Sequence, residues 1–272
     1  MIKGLDRMLE DQILSLRREL AESIEDLTLE HDEETHVYTF KGKKILGASM
    51  IAREGKALPN FPQIEAAADH GHQYHEAAHV MNVSGKFAQH YSPTDNGYAG
   101  FLGWADSKGL ELVASEQMVM HTAEMAYHKK HRTEFKTVHV CGTVDSIWMV
   151  TRPFVVPCGK ESRGLNPGSL IVVDIKTGNL TKAACAQLGI YQWAIGGDSI
   201  ACIFDVPKTA DPFSVDQLIF DANAMHAGRI AMEHWFIKRG TQCANPTGVL
   251  IEEDAEPYKP RTFFEDEEDE WT

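Results

Sequence analysis

The sequence predicts an α/β protein whose core runs helix, three strands, helix, strand, with a central mixed sheet flanked by helices and extra helices at both ends. Three observations carry this. "LIVVDIKTG" (170–178) is almost continuously apolar and ends at glycine, as a strand buried on both faces would. "KTVHVCGTVDSIWMV" (136–150) is rich in β-branched residues and bounded by charged or turn residues. Segments of helical periodicity stand on either side of these runs.

In chain order, Leu9, Ile13, Leu16, Leu20, Ile24 and Leu27 recur at spacings of three and four in a charged background, which predicts an amphipathic helix of about 25 residues. Two roles stay open for it: docking on the core of its own domain, or self-association along a short heptad seam. "HVYTFKGKKILGASMIA" (36–52) reads as a short hairpin, and "GKALPNFP" as a loop. Residues 65–81 are rich in Ala and His, lack proline and form a helix, which "YSPTDNGYAGF" breaks. "GLELVASEQMVM" (109–120) is the first core strand and 136–150 the second, joined through the basic segment "HKKHRTEFK" (128–136). A loop holding Pro153, Pro157 and Pro167 precedes the third strand. Residues 181–195 form a helix, "SIACIFDV" (199–206) a strand, and 214–240 one long amphipathic helix.

The 272 residues suffice for one large or two small domains, and 43% apolar with 24% charged residues is an ordinary globular balance. No apolar run approaches the roughly 18 residues of a membrane span, and the charged N-terminus has no signal-peptide core. The reading is therefore a cytoplasmic protein without a membrane partner. Cys141, Cys158, Cys185, Cys202 and Cys243 form no CxxC pair, which favours reduced thiols over a disulfide framework or a clustered metal site. Net charge is −14, but residues 251–272 hold ten acidic residues against Lys259 and Arg261, a net of −8 in the tail alone. The remainder can still present a local basic surface. The domain reading is an N-terminal helix (1–30), a central domain (31–245) and an acidic tail (246–272) expected to be disordered.

Two arrangements carry chemistry. "HEAAH" (75–79) has the zinc-protease pattern of two histidines four apart with a following glutamate. Thirteen histidines make such a match easy by composition alone, and Asn82 and Gly85 stand where the extended motif needs glycine and histidine. Glu111 or Glu116 would have to supply the third ligand, yet both read as strand residues, so no zinc is expected. The second arrangement is Asp174 and Lys176, two apart on a buried strand and so on one face. Buried charge of this kind needs a partner or a metal ion. Asp145, in "GTVDSI", adds a carboxylate from the preceding strand, and two aspartates facing a lysine suit Mg²⁺. Gln187 and Tyr191 follow, one turn apart on the next helix.

"GTVD", "VVDIKTG" and "QLGIY", with Gly71 and His75 in the upstream "GHQYH", together resemble the PD-(D/E)XK nuclease superfamily in its RecB-like branch, to which phage recombination exonucleases belong. Four motifs fall in order across residues 65–206. The resemblance implies a restriction-endonuclease-like αβββαβ core and an Mg²⁺- or Mn²⁺-dependent DNA nuclease, foremost an exonuclease of recombination or repair such as phages encode. Asp145, Asp174 and Lys176 are then catalytic. The metal ligands are His75, Asp145, Asp174 and the Ile175 carbonyl. Gln187, Tyr191 and Glu116 support the site or contact DNA. Lys129, Lys130 and Arg132 are candidate phosphate contacts. Implied partners are DNA, a recombination or single-strand-binding protein, and further copies of the chain. Val144 replaces the proline of the family motif, and 28 residues separate Asp145 from Asp174, more than a tight hairpin needs. Only Cys243 lies beyond the last core strand, so no iron–sulfur cluster is expected. The alternative is a nuclease-fold protein that binds DNA or a partner without cutting.

Overall fold

A computed structural model describes residues 2–25, 29–32, 37–53, 62–84, 95–129, 132–177, 180–206 and 213–239. Helix α1 (Ile2–Glu25) is followed by three short strands, β1 (Leu29–Asp32), β2 (Val37–Phe40) and β3 (Lys43–Gly47), paired antiparallel in sequence. Then come α2 (Ala48–Ala52), α3 (Pro62–Ser84) and α4 (Asp95–Lys108). Two long strands, β4 (Leu110–Lys129) and β5 (Arg132–Val150), lead to a separate hairpin of β6 (Phe154–Cys158) and β7 (Glu161–Leu165). The chain continues through β8 (Leu170–Lys176), α5 (Lys182–Ile195), β9 (Ser199–Asp205), β10 (Leu218–Asp221) and α6 (Ala224–Arg239).

Among the described residues eight strands form one mixed sheet in the order β1-β2-β3-β5-β8-β9-β10, with β4 along the remaining edge of β5. β8 and β9 run parallel, and their connection is α5, as a parallel crossover requires. Alternation along β8 divides the interior. Leu170 and Val172 pack with Leu188, Ile190, Met232 and Trp235 from α5 and α6, while Ile171, Val173 and Ile175 pack with Tyr74, Met81, Tyr98 and Phe101 from α3 and α4. Helices thus cover both faces, which is why β8 is apolar on both of them from Leu170 to Val173. Leu9, Ile13 and Leu20 of α1 join the first of these cores, each stabilising the packing by about 1.5–3 kcal/mol. At the crossing of α5 and α6 the backbones touch. A Cβ on Gly189 would lie 1.7 Å from the Ala224 carbonyl oxygen, and one on Gly228 2.6 Å from the Gly189 carbonyl carbon.

One irregularity of the sheet places the site. β4 occupies one edge of β5 along its whole length, so β3 and β8 share the other. β3 pairs only with Val140 and Cys141, and β8 only from Ser146 onward. Gly142, Thr143, Val144 and Asp145 lie in the gap between them. The β5–β8 ladder stops at Ser146↔Val173, one pair short of Asp145 and Asp174. The sheet forks there.

Several elements differ from the sequence reading. Residues 95–108 are helical because Tyr98, Phe101 and Ala105 bury one face. Glycines mask that pattern, and Gly100 is required because a Cβ would sit 2.2 Å from Cβ of Phe213. β4 and β5 run nine and four residues further than expected, as far as the Lys129↔Arg132 pair. The proline-bearing loop is the β6–β7 hairpin, in which Val156 and Leu165 are buried while Pro157 sits on an outer strand that tolerates it. The long helix predicted over 214–240 is a 3₁₀ turn (Val215–Gln217), a strand and a shorter helix. Ser214 and Gln217 form a reciprocal cap, and the Asp221 carboxylate accepts from the Asn223 N–H at 2.7 Å, closing the turn into α6. No helix among the described residues is long and apolar enough to cross a membrane. The acidic tail and Cys243 lie outside the described residues.

Candidate metal centre

Five charged side chains meet at the fork. Helix α3 brings His75, whose Nδ1 lies 3.1 Å from Oδ1 of Asp145 on β5. Gly71, one turn earlier, lets α3 approach the end of β8: a Cβ there would lie 3.2 Å from Oγ1 of Thr177. The other Asp145 oxygen accepts from the Ile175 N–H of β8, replacing the ladder bond that the fork removes. In an extended strand the N–H and C=O of one residue leave on the same edge. The Ile175 carbonyl therefore faces the fork too, whereas that of Lys176 accepts from Val206 beside β9. Asp174 ion-pairs with Lys176 at 2.6 Å. His75, Glu116 and Asp145 each bring one ligand atom, and these atoms lie within 4.8 Å of one another. Asp174 stands outside that trio, turned to Lys176.

Asp145 is 7% exposed and Asp174 2%. Burial disfavours the charge of Asp145, but His75, Lys176 and the Ile175 N–H outweigh it and hold its pKa below the usual carboxylate range. For Asp174 burial prevails, reinforced by Asp145, and its pKa rises despite Lys176. Burial opposes charging His75, yet Asp145 overcomes it and lifts the imidazole to about 9. Lys176 is raised likewise, against burial, by Asp174 and Asp145. Burial and then Asp145 push Glu116 up to about 7. Glu116 also adopts φ 50°, a left-handed conformation rare for a glutamate, and it does so inside a strand. A strained glutamate driven toward neutrality beside an aspartate is a site short of positive charge.

The second tier is equally specific. Tyr191, 3% exposed, packs its ring on Gly142, where a Cβ would come within 2.5 Å of Cε1. The glycine of "GTVD" is therefore room for the tyrosine of "QLGIY". Gln187 donates to the Tyr191 hydroxyl at 2.7 Å. Tyr38 and Thr143 are joined through their hydroxyls at 3.1 Å inside the gap.

Lys129 and Arg132 stand at the paired ends of β4 and β5, far along the strands from the trio, and Lys130 lies outside the described residues. A second basic turn, at Lys41, joins β2 to β3. Lys41 Nζ is 5.0 Å from the Phe40 ring, which packs edge-on at 4.8 Å against His139 of β5. Of the zinc-like motif, only His75 joins the trio. His79 Nδ1 bonds Ser115 Oγ at 3.0 Å, and Glu76 is exposed. The free thiols among the described residues are Cys141, Cys158, Cys185 and Cys202. Trp148 and Trp235 are buried, whereas Trp193 is partly exposed with its N–H donated to the Met225 carbonyl.

Sequence reasoning passed over Ser115, Asn82 and Tyr98, which back the trio. Asn82 donates to Ser115 Oγ at 3.0 Å, and the Tyr98 hydroxyl donates to Asn82 Oδ1 at 2.9 Å. The available signal was helical spacing: Gly71, His75, His79 and Asn82 recur at intervals of four, four and three, a non-apolar stripe beside the buried Tyr74, Ala78 and Met81.

No model of a known protein family matches the chain, and no curated protein matches it in sequence.

Proposed function

We propose that the protein is an Mg²⁺- or Mn²⁺-dependent deoxyribonuclease with a restriction-endonuclease-like core, acting as an exonuclease in recombination or repair in the manner of RecB-like phage enzymes. The observation that carries the reading is the convergence of His75, Glu116 and Asp145 beside the Asp174–Lys176 pair, on elements that run α3, α4, β4, β5, β8, α5 and β9 with the β6–β7 hairpin inserted before β8. One imidazole and two carboxylates form a donor set that suits Mn²⁺ and, with water filling the remaining positions, Mg²⁺. His75, Glu116 and Asp145 would hold the ion, with Asp174 and the Ile175 carbonyl beside them. When bound, a divalent ion supplies Lewis-acid activation of the phosphodiester and of the attacking water.

The residues of the chain do the rest. Asp174 fixes the Lys176 ammonium at 2.6 Å, and Lys176 brings a positive donor to the charge that develops on phosphorus-bound oxygen. Gln187 and Tyr191 wedge α5 against Gly142 and keep the fork open. Basic residues at the β2–β3 turn and the β4–β5 tip would meet the DNA backbone, in a manner that weakens with salt.

The decisive assay gives purified full-length protein end-labelled linear DNA and closed circular DNA, with Mg²⁺ or Mn²⁺. The expected result is metal-dependent loss of linear DNA only, abolished by Asp174→Ala and by Lys176→Ala. Undiminished degradation by both variants would sink the site. DNA binding with no cleavage in either metal would favour the non-cutting alternative.

A further inference from the structure

We infer that Ser115, gripped by His79, Asn82 and Tyr98, is a positioning device that sets the backbone of Glu116 and ties it to Asp145, so that two ligands from different strands reach one metal ion. The inference rests on the metal-dependent reading above and goes beyond it, because none of these four residues carries a recognised motif role.

The geometry begins with the interruption in β4. Ser115↔Ser146 and Gln117↔Val144 pair normally, so the ladder continues on both sides of Glu116 while Glu116 itself stands at φ 50°. A left-handed residue inside a strand re-aims its side chain, and it persists only where neighbours hold it. The holding group is the Ser115 hydroxyl, which has contacts to His79 Nδ1 at 3.0 Å, to Asn82 Nδ2 at 3.0 Å and to the Asp145 main-chain oxygen at 3.2 Å. A hydroxyl has one proton and two lone pairs. The Asp145 carbonyl can only accept and the Asn82 amide only donate, so the Ser115 proton goes to Asp145. His79 must then donate through Nδ1–H. Asn82 is oriented in turn by the Tyr98 hydroxyl on its Oδ1, and Tyr98 is 1% exposed in the second core. All three bonding positions of the serine are used. The same oxygen thus fixes the residue before one ligand and the main chain of another.

His75, His79 and Asn82 share one stripe of α3, so one helix face delivers a ligand and the clamp together. That gives His79 a use in "HEAAH" with no zinc involved. It is a donor to Ser115.

The test measures Mn²⁺ binding to the full chain by titration calorimetry, with Mn²⁺ alone as the probe. Ser115→Ala and His79→Ala should bind about 10- to 100-fold more weakly, the usual effect of removing an outer-shell partner. Ser115→Thr keeps the hydroxyl, and His79→Asn keeps a donor at the Nδ1 position. Both should stay within about threefold of the parent, a rescue that follows the hydrogen bond and not the bulk of the side chain. In a Glu116→Gln background, Ser115→Ala should cost far less further affinity, because the clamp acts through Glu116. Equal affinity of parent and Ser115→Ala would overturn the inference and leave the metal site standing, as would the same loss in both backgrounds. A parent that binds no Mn²⁺ would overturn both. Where Ser115→Ala lowers the melting temperature enough to confuse the titration, the His79→Ala and His79→Asn pair decides: equal affinities reject the clamp.

Discussion

Glu116→Gln should stabilise the metal-free protein at alkaline pH while weakening its metal binding. The folded protein raises Glu116 from 4.5 to about 7. A folded state that holds a proton more tightly than the unfolded chain is favoured at low pH, and that advantage disappears as pH rises through about 7. At 1.36 kcal/mol per unit, the shift corresponds to about 3 kcal/mol. Glu116 is not fully buried, so solvent screening reduces this to about 2 kcal/mol. Glutamine keeps the size and the backbone strain but carries no charge. In EDTA at pH 8 the variant should melt about 4–8 °C above the parent, and at pH 5 the two should nearly coincide. Mn²⁺ at 100 times the parent's Kd should reverse the order, since it adds about 2.7 kcal/mol to the parent and much less to the weaker-binding variant. Differential scanning calorimetry at both pH values, with and without metal, covers all four conditions. An equal gain at pH 5 and pH 8, or none at pH 8, would refute the electrostatic account of the site.

Three further outcomes follow from neighbouring contacts. Gly142→Ala drives a Cβ into the Tyr191 ring and should cost about 1–3 kcal/mol in urea denaturation, most of which Gly142→Ala with Tyr191→Leu should recover. Lys176→Ala leaves Asp174 buried without its cation and should destabilise by about 3–5 kcal/mol, whereas adding Asp174→Asn should restore much of that loss. Mn²⁺ affinity should climb between pH 6 and 9, because metal displaces protons from Glu116 (about 7) and His75 (about 9); calorimetry in buffers of different ionisation enthalpy would count them.

The sequence showed most clearly what periodicity and burial determine directly. β8 announced itself through apolar continuity, and Asp174 and Lys176 stood out as charges inside it. The long-range meetings were hidden. Gly142 and Tyr191 are 49 residues apart, and only packing reveals that one makes room for the other. Helix α4 escaped because its glycines weaken local helix propensity, and one of them, Gly100, is imposed by close contact with Phe213, a tertiary demand overriding a local one. β10 was absorbed into a helix because "LIFD" also fits a helical face, and only the Asp221–Asn223 turn separates the two elements. Glu116 stood in a legible strand, but we infer its left-handed backbone to be held by the serine beside it and by His79 and Asn82 of α3, more than 30 residues earlier.

The fork explains why these features gather at one place. A continuous β5–β8 ladder would set Asp145 against Asp174 as a regular cross-strand pair, two like charges side by side in a buried sheet. Ending the ladder one pair early frees a main-chain edge, and the Asp145 carboxylate uses it by accepting the Ile175 N–H. The backbone group that the fork orphans is thereby satisfied by the side chain that the fork releases. What that local repair does not supply is charge balance. His75 and Lys176 bring two positive charges to three carboxylates, and Glu116, disfavoured as an anion first by burial and then by Asp145, is left with a pKa near 7 on a left-handed backbone. A fold selected for stability alone would place an apolar or amide side chain at 116. Retaining an acid in a left-handed strand residue, with a four-residue hydrogen-bonded support behind it, makes sense where a divalent cation completes the site.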